Sequence, residues 1–427
     1  MKNLKFKLIP SILIVMGLIF VGSCNKKNND EPRIIENQSK IDEITISDDF
    51  EWKTAKNVTF NISAASAQVI TISSLDQEIR YHRGMFDGTN TYKITLSIPT
   101  TVNSVLVNGQ AVNINSKNVS IELTETSLKE VMVDTDGDGI ADNLDDFPNI
   151  PNQSFENNNP ASTSGSLGFE DLWPGKGDFD FNDIVVDYQF SSIANAQNKV
   201  IEITATFLVK ASGAYLHNGF GFNLPDANPT LITHLNVSGY NLQEGYISLN
   251  SNGLENGQQH PTIIVFDDVF NLLPHPQVGI GVNTEEWTPF VPYYTVTIVM
   301  TPTSQNYTLS DFSLETWNPF IIVDGERGKE VHLPDYLPTN LVNPSYFGTW
   351  DDDTQPGFGK YYKTTNNLPW AINIAEPFDW PREKIEINWA YLHFIEWAES
   401  TGAVYSDWYK DIFGYRNDGN LYHPNIP

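Results

Sequence analysis

The sequence predicts a mainly β protein: a small N-terminal β-sandwich, then a larger β-sandwich or jelly-roll-like domain with a short C-terminal helical element. Three observations carry this. Apolar and polar residues alternate with period two in many short runs; Gly, Asn and Pro punctuate them roughly every 8 to 15 positions; and only one stretch has convincing helical spacing. Of the 427 residues, 40% are apolar and 12% aromatic, which gives each domain enough material for a core and excludes a disordered chain.

Lys2, Lys5 and Lys7 precede an apolar run from Leu8 to Val21 that ends in Gly22-Ser23-Cys24. The run is shorter than the ~20 residues a spanning helix needs and closes on small residues, so 1–23 reads as a secretory signal. Val21-Gly22-Ser23-Cys24 resembles the bacterial lipobox, in which cleavage precedes a cysteine that becomes lipidated. Cys24 is the only cysteine in the chain. The resemblance implies a lipid anchor at Cys24 and a cell-envelope location as an outer-membrane lipoprotein, with the periplasmic and external faces both open. Residues 24–45 begin with the polar stretch Asn25 to Pro32 and read as a flexible tether.

Residues 46–126 carry five candidate strands, at 57–63, 67–72, 92–98, 104–107 and 119–123, with turn signals such as Gly88-Thr89-Asn90 and Asn108-Gly109. A small β-sandwich follows from that pattern, as a spacer or interaction module. Residues 127–153 form an Asp-rich linker, and 154–427 resume the β pattern. The strongest strands there are 199–209 and 293–300, both rich in β-branched and aromatic residues. Residues 387–397 have helical spacing, with Trp389, Leu392 and Phe394 to Trp397 on one broad face.

Acids outnumber bases by 53 to 25, a formal charge of −28, and no basic run follows residue 27. Nucleic-acid binding needs clustered Lys and Arg to neutralise phosphates, so it is excluded as a function; cation binding is favoured. One cysteine also excludes internal disulfides and cysteine-based metal centres. The acids are not spread evenly. Thirteen of the 53 lie between Asp134 and Asp187.

The first acidic segment places Asp134, Asp136, Asp138, Asp142 and Asp145 at positions 1, 3, 5, 9 and 12 of a loop with Gly139 at position 6. This is calcium-loop spacing. Alternate residues project oxygens into one concavity, the glycine permits the sharp turn, and the carbonyl of Ile140 at position 7 adds a ligand. Position 12 is Asp rather than the bidentate Glu of an EF-hand, and no amphipathic helix precedes the loop. Asp-x-Asp-Gly-Asp-Gly-x-x-Asp-x-x-Asp with Asp146-Phe147-Pro148 resembles the thrombospondin type-3 repeat instead. Mutual repulsion predicts an extended loop until Ca2+ orders it.

The second segment holds Glu170, Asp171, Asp178, Asp180, Asn182, Asp183 and Asp187, with Gly175 and Gly177 just before Asp178. Read as a strand, it puts Asp178, Asp180 and Asn182 on one outward face and Phe179 and Phe181 on the other. The stretch Phe169-Glu170-Asp171 … Gly175-Lys176-Gly177-Asp178-Phe179-Asp180-Phe181-Asn182-Asp183 resembles the signature of LruC-domain bacterial lipoproteins. The resemblance extends over about 130–427 and implies a surface class without a defined activity. Asp178, Asp180, Asn182 and Asp183 are the candidate second Ca2+ site.

No His-Glu-x-x-His, Gly-x-Ser-x-Gly or phosphate-loop pattern occurs, and the eight histidines form no close metal-binding pair. A glycosidase needs only two carboxylates, yet nothing singles out a pair. The expected function is therefore surface binding or adhesion with structural calcium and without catalysis. The expected partners are the membrane through the lipid anchor and an extracellular glycan or protein; Trp350 to Asp353 and Tyr361-Tyr362 would suit a sugar-binding edge.

Overall fold

The computed structural model describes residues 40–123 and 133–424. Cys24, the signal segment, most of the tether and the first residues of the linker lie outside them. No helix among the described residues is long and apolar enough to cross a membrane.

The protein is mainly β. Seven strands build the small sandwich: β1 (Ala55–Ala64), β2 (Gln68–Ser73), β3 (Arg80–Phe86), β4 (Tyr92–Pro99), β5 (Ser104–Val107), β6 (Gln110–Asn113) and β7 (Asn118–Leu123). One sheet has the order β4-β1-β7, with β1 antiparallel to β4 and parallel to β7; the other has the order β3-β2-β5-β6. Alternation decides which side chains enter the core, as in β7, where Val119, Ile121 and Leu123 are buried between exposed Asn118, Ser120 and Glu122. With Phe60, Ile62, Ile70 and Ile72 they fill one contiguous core.

The larger domain uses β8 (Phe155–Asn159), β9 (Gly165–Phe169), β10 (Ile184–Ala194), β11 (Val200–Ala211), β12 (Gly219–Asn223), β13 (Leu235–Ser238), β14 (Thr262–Phe266), β15 (Tyr294–Pro302), β16 (Asn318–Ile322), β17 (Glu330–His332) and β18 (Ala371–Ile374). A seven-stranded sheet runs β13-β15-β11-β10-β9-β18, with β8 also pairing β10, and a four-stranded sheet runs β14-β12-β16-β17. Their shared core holds Phe190, Phe207, Phe220, Phe222 and Trp317. The second sheet is buried on both sides, because Ile264, Phe320 and Ile322 pack under the loop carrying Leu242 and Tyr246. Strand β14 accordingly reads as an unbroken buried run, Thr262 to Phe266.

A second core of the large domain joins chain segments far apart in sequence. Ile41, Ile44, Ile46, Phe50 and Trp52 pack with Phe179, Phe181, Ile387, Phe394, Trp397 and Trp408. Residues 41–52 thus belong to this core, where the sequence suggests a tether through 45 and a sandwich from 46. Trp52 Nε1 donates to Asn367 O (3.0 Å), Asn367 Nδ2 donates to Ile46 O (2.8 Å), and Lys53 pairs with Asn373 of β18. The helix predicted over 387–397 is broken into two short helices, Ile387–Ala390 and Phe394–Glu399. Between them Tyr391 is extended and fully buried, its hydroxyl donating to Asp379 O at 2.6 Å, so one continuous helix gives way to tertiary packing.

Candidate metal centre

The two acidic segments take different structural roles. In the first, Asp134, Asp136 and Asp138 converge, each offering a carboxylate oxygen within 4.8 Å of the others. Gly137 and Gly139 take positive φ of 78° and 98°, which lets the chain curl around those oxygens. The carboxylates also serve the loop itself: Asp134 accepts from the Gly137 and Gly139 amides (2.8 and 3.1 Å), and Asp138 accepts from Ile140 N (2.7 Å) and Ser154 Oγ (2.5 Å). Asp142 stands apart from the cluster, both its oxygens accepting from Thr135 at 2.7 Å. Asp145 is buried, its Oδ2 has no hydrogen-bond partner, and burial with Asp138 and Asp136 nearby raises its pKa.

The same segment clamps the two domains together. The Ile140 side chain is buried between Val69 and Met85 of the small sandwich and Phe155 and Ala196 of the large domain. Asp146 accepts from Arg80 (2.7 and 2.9 Å) and Arg83 (2.9 Å) on β3 and from Glu156 N (2.9 Å) on β8. Strand β3 is the edge of its sheet, and two asparagines of the large domain cover it as a neighbouring strand would. Asn157 bonds Arg83 N and O (2.7 and 3.0 Å), and Asn198 bonds Met85 N and O (2.7 and 2.6 Å). Nearby His82 is buried, bonded to Tyr92 Oη at 2.7 Å, and burial drives its pKa down to about 3.

The second segment is not the outward-facing strand its alternation suggests. Phe179 and Phe181 both take positive φ (58° and 54°), and their rings enter the second core while Asp180 and Asn182 are also buried. Ile387 N holds this zigzag by donating to Phe179 O at 2.8 Å. The carboxylates therefore face inward, where Glu170, Asp178 and Asp180 bring oxygens within 4.8 Å of one another. Glu170 is fully buried; its Oε1 accepts from Phe181 N (2.7 Å), while Oε2 has no partner. Asp180 accepts from Lys384 N (2.8 Å) and Asn182 N (3.1 Å). Glu383 approaches from the C-terminal segment, its Oε2 also buried and unpartnered.

Burial, with Asp178 beside it, raises the Glu170 pKa to about 8, and burial followed by Asp178 brings Glu383 to about 7. Asp180 is held well above the carboxylate range by burial, then by Glu170 and Asp178. Acids packed this way are unstable as a set of charges unless a cation joins them. The local space is cut to fit them, because a Cβ at Gly177 would lie 1.6 Å from Glu170 Oε2. A hard divalent ion that takes six to eight oxygens suits this donor set.

Asn182 and Asp183, the other candidate ligands, are directed elsewhere. Asn182 Oδ1 is buried, unpartnered and only 1.9 Å from where a Cβ of Gly213 would stand; Asp183 Oδ2 accepts from Asp171 N at 2.8 Å. Asp187 leaves the cluster altogether, in an ion pair with Lys210 (2.7 Å) and a hydrogen bond from Ser166 (2.5 Å). Glu170 takes a place beside Asp178 and Asp180 that spacing alone does not assign, though the Phe169-Glu170-Asp171 triplet marks it. Glu383, some 200 residues downstream of Asp178 and Asp180, carries no sequence signal at all.

With this geometry in view, comparison with known proteins adds class rather than chemistry. A family model described as a domain of unknown function (DUF4842) matches residues 198–409, from β11 through the C-terminal helices. The match includes Glu383 but stops short of Glu170 to Asp183. The fold is similar to the crystal structure described as a "putative lipoprotein" from Bacteroides ovatus, with a TM-score of 0.51 and 16% identity over 87% of this chain and 93% of that one. At that identity the likeness is one of fold. No curated protein matches the chain.

Proposed function

We propose that this chain is a lipid-anchored cell-envelope protein whose fold is held by Ca2+ at two acidic sites and whose role is surface binding or adhesion rather than catalysis. Three features support the envelope assignment: the Val21-Gly22-Ser23-Cys24 lipobox, the likeness of 169–183 to LruC-domain lipoproteins, and the lipoprotein description of the Bacteroides ovatus protein. A thrombospondin type-3 role for 134–145 accords with the convergence of Asp134, Asp136 and Asp138 at a domain seam. The observation that carries the calcium reading is the buried Glu170 Oε2, unpartnered between Asp178 and Asp180. Calcium there would tie the acidic segment to both β9 and the C-terminal core.

Isothermal titration of the chelator-stripped mature chain with calcium chloride tests this. Two sites are expected, with Asp178→Asn plus Asp180→Asn deleting one and Asp134→Asn plus Asp136→Asn deleting the other. A stoichiometry that neither pair reduces would sink the proposal.

A further inference from the structure

An ion held by Glu170, Asp178 and Asp180 leaves two deeply buried oxygens of the same segment unsatisfied. Asp171 Oδ1 and Asn182 Oδ1 both lack a hydrogen-bond partner, in side chains only 1% and 0% exposed. Neither residue belongs to the Glu170, Asp178 and Asp180 convergence. Their orientations are fixed by the bonds their other atoms make. Asn218 Nδ2 donates to Asp171 Oδ2 at 2.7 Å, and Asn182 Nδ2 donates to Pro381 O at 3.1 Å, so in each side chain the remaining oxygen is the bare one.

Asp183 links the two. Its Oδ2 accepts from Asp171 N at 2.8 Å, and the Asp171 and Asp183 carboxyl groups lie within hydrogen-bond reach of each other. On the other side, the point where a Cβ on Gly213 would stand is 1.9 Å from Asn182 Oδ1 and 3.0 Å from Asp183 Oδ1. Gly213 thus walls a cradle that any side chain would fill, and its amide braces the cradle by donating to Asn182 O at 2.9 Å. Burial raises the Asp171 pKa, and burial followed by Asp171 holds Asp183 well above the carboxylate range.

Asp171 Oδ1, Asn182 Oδ1 and Asp183 Oδ1 are three acceptors, and two of them belong to acids. One shared proton joins two of these oxygens and leaves the third bare, whereas a cation satisfies all three and offsets the charge. A donor set made only of carboxylate and amide oxygens suits a hard ion rather than a transition metal. We infer that the buried site is binuclear: a second Ca2+ binds Asp171, Asn182 and Asp183 beside the ion at Glu170, Asp178 and Asp180. The inference rests on the calcium reading above and deepens it, since the two sites then hold three ions. The second ion joins the segments that follow β9 and precede β10 to Asn218, ahead of β12, and so ties the seven-stranded sheet to the four-stranded one.

The test is equilibrium dialysis of the mature chain against calcium chloride, with calcium counted per chain. Asp134→Asn plus Asp136→Asn is carried throughout, so that only the buried segment is counted. Two ions are expected there. Asp171→Asn plus Asp183→Asn keeps an acceptor for Asn218 Nδ2 and for Asp171 N, and should lower the count to one with the circular dichroism spectrum unchanged. Asp178→Asn plus Asp180→Asn should also leave one. Should the first pair fail to fold, Asp171→Asn alone should weaken one of the two ions about tenfold or more, because calcium affinity follows the charge of the ligand set. A count of one before the Asp171 and Asp183 changes overturns this inference and leaves the calcium reading standing, as does a count of two after them. Loss of both ions with the Asp171 and Asp183 pair overturns it too, by showing one shared site. A count of zero in the unaltered segment overturns the calcium reading itself.

Discussion

The loop at 134–146 and the cluster at 170–183 hold similar carboxylates in opposite settings. In the loop Asp134, Asp136, Asp138 and Asp142 stay exposed or half-buried and most of their oxygens accept bonds from nearby amides and hydroxyls, while Asp145 is buried. In the cluster Glu170 and Asp180 are withdrawn from solvent and Glu170 keeps an oxygen without a donor. Backbone amides can stabilise an exposed acidic turn with or without a metal. They cannot neutralise three carboxylates converging in a core, so the dependence on a cation rises with burial.

The sharpest way to break this contrast is to remove charge while keeping shape. Glu170→Gln with Asp180→Asn should remove the buried site's share of calcium-dependent stabilisation, worth about 4 kcal/mol at a thousandfold excess of calcium over Kd, and should make the chelated protein more stable than chelated wild type. Thermal unfolding with and without EDTA reads both signs; a variant destabilised equally in both buffers would show the cluster to be an ordinary hydrogen-bonded core.

An intermediate effect comes from the seam. His82 is kept neutral in the folded state down to about pH 3, whereas an unfolded histidine protonates near 6.5. The unfolded chain therefore binds the extra proton as the pH falls below 6.5, and stability is lost, by about 2 kcal/mol at pH 5. Denaturant unfolding of His82→Gln in saturating calcium should lose that slope; an unchanged pH profile would place the acid sensitivity elsewhere. The smallest effect belongs to the exposed loop. Asp134→Asn with Asp136→Asn should cost about 1.4 kcal/mol in ~1 mM calcium, for a site of ~10⁻⁴ M, and almost nothing in EDTA. A loss matching that of the buried pair would erase the distinction between the two sites.

Period-two alternation places five of the seven strands of the small sandwich but only β11 and β15 of the larger domain, because a half-buried strand writes its burial into every second residue and a fully buried one does not. In the small sandwich it misses β3, where Arg80 and Arg83 are polar because they reach Asp146 and His82 because it bonds Tyr92. It misread 178–182, since alternation records which residues are buried in turn and not that Phe179 and Phe181 reach their core through positive φ. The helix at 387–397 failed for a related reason: its apolar spacing was real, but Tyr391 is claimed by Asp379 and the surrounding aromatic core. The three-Asp convergence at 134–138 was legible because its donors are neighbours in sequence. The place of Glu383 beside Asp178 and Asp180 is not legible, because folding brings it from a distant segment.

The early burial of Ile41 to Trp52 sets how the molecule bears load. The chain enters the second core of the large domain first, leaves it to build the small sandwich, and returns through the Asp146 clamp. Tension arriving from upstream of Lys40 is thus delivered to the large domain, and the sandwich lies off the line of force. It works as a side bracket rather than as a link in a stalk. Pulling on the chain upstream of Lys40 would strip Ile41 and Phe50 from their core before it strained the sandwich.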